Sequence, residues 1–124
     1  CVSLRLILMA MKVLVLTTSD DCAGPMAAAF LRDYGQDLNV VSAGHHDASR
    51  LHPFVVPAMK ECLVDLENTS PKLFENLDVS AFDFVYEPSE EEVPDDMDTF
   101  RIFRDRVKNE SFLFYRDVLR KAKS

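Results

Sequence analysis

The clearest hydrophobic pattern near the start of the chain predicts a buried strand, a loop and a helix. Val13 to Leu16 is an unbroken apolar run, which is typical of a central strand covered on both faces. Thr17–Gly24 is predicted to be a loop, and Pro25 opens a helix through Leu31 because its missing N–H costs nothing in the first turn. In an open α/β sheet such a loop lies at the carboxyl edge, where ligands bind.

The later patterns alternate between strands and helices. They predict an end of the first helix at Gly35, a strand over 38–43, a helix over 53–63, a short helix over 71–77, a strand over 82–87, and a long helix that begins at Asp98 or Thr99 and ends near Ala122. This alternation indicates a parallel sheet. The predicted fold class is α/β, a three-layer sandwich in which helices cover both faces of a short parallel sheet in flavodoxin-like order.

Composition narrows the classes of function. The chain has 124 residues, a length typical of one domain, and 48% of them are apolar, as in a globular protein. The formal net charge of −7 argues against nucleic acid and against an anionic membrane surface as partners, because both require a basic face. The predicted partner is therefore a protein or a small ligand.

The cysteines and the first ten residues bear on location and domain bounds. Cys1, Cys22 and Cys62 have no zinc or redox spacing, which predicts reduced thiols in a cytoplasmic protein without a metal or other cofactor. Residues 1–10 are predicted to be an N-terminal extension before a domain of residues 11–124. They are too short to span a bilayer, but their alternating apolar positions would also suit an added edge strand over 2–8.

The charges of the predicted loop conflict with its position. A helix N-terminus favours anions through its free N–H groups and its dipole. However, Asp20 and Asp21 lie in the loop, and no Lys or Arg lies between Lys12 and Arg32. The favoured interpretation is that the two carboxylates cap the helix. The alternative is a Mg²⁺ or Ca²⁺ site that they form at the sheet edge, joined by Asp95 or Asp96.

Three stretches in order resemble the low-molecular-weight protein tyrosine phosphatases, and within that superfamily the thioredoxin-coupled arsenate reductases. They are Lys12–Phe30; Val41-Ser-Ala-Gly44 with His52-Pro53 and Val56-Pro-Ala-Met-Lys-Glu61; and Phe100-Arg-Ile-Phe-Arg-Asp-Arg-Val107. The resemblance implies the fold of phosphotyrosine protein phosphatase I. It also implies an ancestral activity in which a cysteine thiolate attacks phosphorus, an arginine binds the phosphate oxygens and an aspartic acid protonates the leaving group.

The chemical positions of that phosphatase loop are replaced in this chain. The nucleophilic cysteine corresponds to Thr17 and the phosphate-binding arginine to Ala23. The resemblance also matches Ser19-Asp20 to a Gly-Asn pair, Cys22 to a second cysteine that is not the nucleophile, and Gly24 to a Ser or Thr. Val93-Pro-Asp-Asp96 resembles the acid loop and makes Asp95 the possible residual acid. The complete degenerate loop is Thr17, Thr18, Ser19, Asp20, Asp21, Cys22, Ala23 and Gly24.

These replacements predict a catalytically inactive protein of the phosphatase fold that binds or regulates. Two enzymatic alternatives remain open at this stage. Thr17 could attack with Asp20 or Asp21 as its base, or Cys22 could act as a thiol nucleophile assisted by His45 or His46. Both His45 and His46 are predicted to lie in the loop after the second strand.

Overall fold

A computed structural model describes residues 11–35, 38–89 and 92–119 and contains one parallel three-stranded sheet. The strands are β1 (Lys12–Ser19), β2 (Asn39–His46) and β3 (Phe84–Tyr86), in the order β2-β1-β3. Val13 of β1 pairs with Val40 of β2 and with Phe84 of β3. The predicted α/β class with a short parallel sheet is confirmed. The extra strand proposed for residues 2–8 lies outside the described residues.

Three α-helices of the described residues pack on one face of this sheet, and their bounds correct several predictions. They are α1 (Ala23–Tyr34), α2 (Val55–Lys60) and α3 (Met97–Phe114), the last followed by a π-helical turn, Tyr115–Leu119. The helix predicted over 53–63 is thus only six residues long, with Pro57 in its first turn, where proline is tolerated. Gly35 ends α1 as predicted, and its N–H donates to the Leu31 carbonyl.

The two faces of the sheet are covered differently. Val13 and Val15 of β1 pack on the side of the three α-helices, in one large core. On the other face a smaller cluster of Leu14, Leu16 and Ala43 is covered by the partly buried side chains of Phe74, Leu77 and Phe82. The short helix predicted over 71–77 is reduced to a three-residue 3₁₀ helix, Phe74–Asn76, and a second 3₁₀ helix, Val79–Ala81, follows it in this outer layer.

An ion-pair network joins α2 to α3. Glu61, at the end of α2, accepts hydrogen bonds from Arg101 and Arg104 of α3, each with a shortest N–O distance of 2.8 Å. The side chain of Arg104 also donates to the Ala58 carbonyl. The guanidinium groups of Arg101 and then Arg104 lower the pKa of Glu61 to about 2. Two of the stretches that carried the sequence resemblance therefore contact each other here.

The N-terminus of α3 lies two residues earlier than the first predicted cap. Asp96 is the N-cap, and its carboxylate accepts from both the N–H and the hydroxyl of Thr99. Asp98 and Thr99, which the sequence predicted as caps, are residues of the first helical turn. Among the described residues, no helix is long and apolar enough to cross a bilayer.

The turn after α2 contains a strained leucine. Leu63 has φ = 64°, the left-handed region, and its side chain is 96% exposed. The Leu63 N–H donates to Lys60 and the Val64 N–H to Met59, as in a Schellman motif whose left-handed position usually holds glycine. A non-glycine residue costs about 1–2 kcal/mol in this conformation.

We therefore expect Leu63→Gly to raise the free energy of unfolding by up to about 1 kcal/mol, after the greater chain entropy of glycine is subtracted. Urea denaturation followed by circular dichroism measures this change. Leu63→Ala is the matched control, because alanine keeps the Cβ atom that causes the strain. An equal gain from alanine would assign the effect to the removed leucine side chain instead.

Candidate functional site

The degenerate loop is tighter than the sequence pattern predicted. β1 continues through Ser19 and α1 begins at Ala23, so only residues 20–22 connect them. The loop is held from outside by His52, whose N–H donates to the Asp21 carbonyl at 2.7 Å. Cys22 is the N-cap of α1 and makes no side-chain capping bond. The interpretation that Asp20 and Asp21 cap this helix is therefore wrong.

Asp20 is instead a buried carboxylate that ties the loop to a distant segment. Its side chain is fully buried, and Oδ2 accepts from the Lys72 N–H at 2.8 Å. Oδ1 is buried without a hydrogen-bond partner among the described residues. Burial raises the pKa of Asp20, with the nearby charge of Asp21 adding to the rise, while Ser42 and Lys72 oppose it.

A buried carboxylate with a raised pKa makes stability depend on pH in a definite direction. The folded state holds the Asp20 proton more tightly than the unfolded chain, whose pKa is near 3.8. This contribution to stability is complete below the unfolded pKa and is lost as pH rises through the folded pKa.

Asp20→Asn should therefore stabilise the protein at neutral pH, by about 1–3 kcal/mol, because it removes an incompletely paired buried charge while keeping an acceptor for Lys72. The gain should shrink as pH falls toward the unfolded pKa. Urea unfolding at a series of pH values measures it. Asp21→Asn removes one charge from the same loop and is the control. A gain for Asp20→Asn that does not vary with pH would contradict burial of a titrating carboxylate.

A small cavity of about 210 Å³ opens beside the loop at the carboxyl edge of the sheet. Its lining residues are Thr18, Ser19, Asp21, Cys22, Ala23, Val93 and Phe103. The loop supplies five of these residues, Val93 lies in the segment before α3, and Phe103 belongs to α3. No lysine, arginine or histidine is among these lining residues. The described lining therefore consists of one acidic residue, one cysteine, two hydroxyl residues and three apolar residues.

Neither candidate nucleophile is prepared for attack: one is buried outside the cavity lining, and the other is a thiol with a raised pKa. Thr17 is 3% exposed, is not part of the cavity lining, and donates its hydroxyl to the Ser19 carbonyl at 3.0 Å. Cys22 lines the cavity, but burial and then the Asp21 carboxylate raise the pKa of its thiol to about 12. At neutral pH Cys22 is thus a neutral thiol, and thiols react as thiolates.

The residues that were predicted to assist a nucleophile, as an acid or a base, do not line the cavity. Asp95 is exposed and absent from its lining, whereas the neighbouring Val93 takes part. His45 and His46 belong to the end of β2 and not to a loop, and His45 stacks on Phe74 with ring centroids 5.3 Å apart. A histidine pair for Cys22 is therefore not formed.

The cation-site alternative also fails on geometry. The Asp20 carboxylate accepts a hydrogen bond from the backbone N–H of Lys72, and the Asp96 carboxylate caps α3. Asp95 faces solvent, so these carboxylates do not converge with Asp21. Within residues 11–35, 38–89 and 92–119, no group of three or more His, Cys, Asp or Glu side chains is placed to hold a metal ion.

Sequence reasoning did not identify three residues that shape the site. Phe103 is 6% exposed, belongs to the core and also lines the cavity. The acid-loop resemblance did bring the segment containing Val93 to this place. The backbone of Lys72 holds Asp20, and that of His52 holds Asp21. Backbone donors leave no trace in side-chain patterns, so no sequence signal identifies the last two contacts.

Comparison with known proteins supports the fold. An arsenate reductase in its phosphate-binding state matches with a TM-score of 0.78 and 22% identity, over 87% of this chain and 98% of that one. Vibrio vulnificus Wzb in complex with benzylphosphonate matches with a TM-score of 0.73 and 15% identity, over 88% and 99%. A YwlE mutant from Bacillus subtilis matches with a TM-score of 0.71 and 19% identity, over 87% and 98%.

These three structures belong to the low-molecular-weight protein tyrosine phosphatase family. The chain has the fold of that family, as the sequence resemblance predicted. No family model matches the sequence, and no curated protein matches it.

Proposed function

We propose that this protein is a catalytically inactive relative of the low-molecular-weight tyrosine phosphatases that acts as a binding or regulatory module. Its partner is a protein or a small ligand that enters the cavity beside the loop Thr17–Gly24. We place it in the cytoplasm, in keeping with the free thiols of Cys22 and Cys62. The proposal concerns the loss of phosphate chemistry, on which the neighbouring structures do not bear.

One observation carries the proposal: among the described residues, the cavity lining contains a carboxylate and no cation. A phosphate dianion beside Asp21 would meet repulsion of several kcal/mol if about 4 Å separates the charges at an effective dielectric constant near 20. The half-charge of the α1 N-terminus does not offset this repulsion. Ala23, at the position of the phosphate-binding arginine, supplies no compensating charge.

The residue at the nucleophile position also supports the proposed loss of catalytic activity. The hydroxyl of Thr17 is engaged with the Ser19 carbonyl, and a threonine needs an adjacent base to attack. The candidate base Asp20 accepts the Lys72 N–H through Oδ2, and its Oδ1 has no hydrogen-bond partner among the described residues, so it is not hydrogen-bonded to Thr17. Asp95, the candidate acid, is exposed to solvent outside the cavity lining. Among these candidate residues, no pair is therefore arranged for attack and protonation.

Hydrolysis of p-nitrophenyl phosphate tests this proposal. The native chain should show no turnover above buffer. A variant with Thr17→Cys, Ala23→Arg, Asp20→Asn and Asp21→Asn should show measurable turnover, because it restores the thiol and the arginine and removes the repelling charges. The matched control carries Thr17→Ser with the other three changes, and it should stay silent.

Turnover by the native chain would overturn the proposal. Thr17→Val and Cys22→Ser in the native background would then identify the nucleophile. Circular dichroism of each variant verifies that the fold is kept, so that a silent variant can be compared with a folded one.

A further inference from the structure

The unpaired charge in the cavity carries an inference about the class of ligand. Asp21 is half-buried and lines the cavity. Across the ion pairs of residues 11–35, 38–89 and 92–119, none includes Asp21. The N-terminus of α1 offsets only about half of a unit charge. The cavity therefore keeps a net negative character and favours a cation.

The remaining walls suit a cation that carries an apolar stem. Phe103 and Val93 line the same cavity as the loop residues. Aromatic rings attract ammonium groups within about 6 Å, and apolar surface stabilises the methylene groups beside them. The volume of about 210 Å³ equals roughly seven water molecules at ~30 Å³ each, which is enough for a four-carbon amine.

The neutral groups of the lining fit the same ligand. Ser19 is a hydroxyl residue of the lining, and hydroxyls accept hydrogen bonds from an ammonium group. A carboxylate-bearing or phosphate-bearing ligand of equal size would find the Asp21 carboxylate and no positive side chain. Among ligands of equal size, the charge of the ligand therefore decides whether the cavity favours it.

We propose that the cavity binds a primary alkylammonium group, with Asp21 as its counter-ion and Phe103 and Val93 against its stem. The inference rests on the proposed function, because it requires a site that has lost its affinity for phosphate. A free amine and the lysine side chain of a partner protein share this chemistry.

The test is an amide NMR titration of the full chain with n-butylammonium, n-butanol, butyrate and inorganic phosphate. We expect n-butylammonium to shift the amides of residues 18–23 and of Phe103 saturably. n-Butanol should bind at least about tenfold more weakly, and butyrate should leave these amides unchanged. A tenfold change in affinity corresponds to 1.4 kcal/mol, the size of one charge contact in a half-buried site.

Two charge variants distinguish the counter-ion from the overall charge of the protein. Asp21→Asn should weaken n-butylammonium binding at least about tenfold. Asp95→Asn removes an exposed carboxylate outside the cavity lining and should leave the affinity unchanged. Equal affinity for n-butanol, or unchanged affinity in Asp21→Asn, would overturn the inference.

The remaining outcomes separate this inference from the proposed function. Binding of neither n-butylammonium nor phosphate would overturn the ligand class and leave the proposed inactivity standing. Saturable binding of phosphate at residues 18–23 would overturn both. A peptide, acetyl-Gly-Lys-Gly-amide, that binds more tightly than n-butylammonium would assign the site to a partner protein, and equal affinities would assign it to a small amine.

Discussion

Gly44→Ala is expected to destabilise the protein by about 3 kcal/mol, the upper range for overpacking of a tight interior. Gly44 lies in β2 opposite Thr17, and its own N–H donates to the Lys72 carbonyl. A Cβ atom at this position would lie 2.5 Å from the Asp20 nitrogen and 2.8 Å from the Ser19 Cα. These contacts are with backbone, so side-chain rotation cannot relieve them.

The effect should be larger than that of the same substitution at another glycine. At Gly35 a Cβ atom would meet Leu38 side-chain atoms at 2.8 Å, and that side chain can rotate away. We therefore expect Gly35→Ala to cost clearly less in urea unfolding. Equal losses at the two positions would show that the loop backbone can move away from β2. Since Gly44 has no positive φ, the requirement for glycine here is one of space.

Phe100→Ala is expected to destabilise the protein by about 3–5 kcal/mol, the usual cost of truncating a fully buried phenylalanine. Phe100 is 0% exposed and stacks on His52 at a centroid distance of 5.6 Å. It also contacts Phe54 and Phe103, each at 5.5 Å. The lost ring would leave a cavity bordered by three aromatic groups.

This substitution should also loosen the candidate site. Phe103 lines the ligand cavity, and the His52 N–H holds the Asp21 carbonyl. Amide exchange of His52 should therefore accelerate more than global unfolding alone explains. The control is Ile102→Ala, on the same helix but 63% exposed, which should change stability by less than about 0.5 kcal/mol. If His52 exchanges only through global unfolding, Phe100 supports the core without positioning the loop.

The sequence predicted some strands and helices correctly and others only in part. The apolar run Val13–Leu16 correctly predicted the central strand, because a strand covered on both faces needs no polar positions. Gly35 correctly predicted the end of the first helix, and Pro25 lies in its first turn, but the helix begins two residues earlier, at Ala23. The short helix predicted over 71–77 is only the 3₁₀ helix Phe74–Asn76, and the apolar side chains of Phe74 and Leu77 cover the small second face of the sheet.

The sequence by itself determined the class of fold and the residue types of the loop. A strand, a loop and a helix are visible without coordinates, and so is the absence of a lysine or arginine from that loop. These features are local, because hydrophobic periodicity and residue identity need no partner to be recognised.

Only the tertiary structure decided what each loop residue does. Asp20 and Asp21 are adjacent and chemically identical, yet one is buried against Lys72 and the other faces the cavity. Their roles depend on segments about fifty and eighty residues away in sequence, which supply the Lys72 N–H and the Phe103 ring. Burial and long-range backbone contacts are properties of packing, and packing assigned Asp20 to the interior and Asp21 to the site.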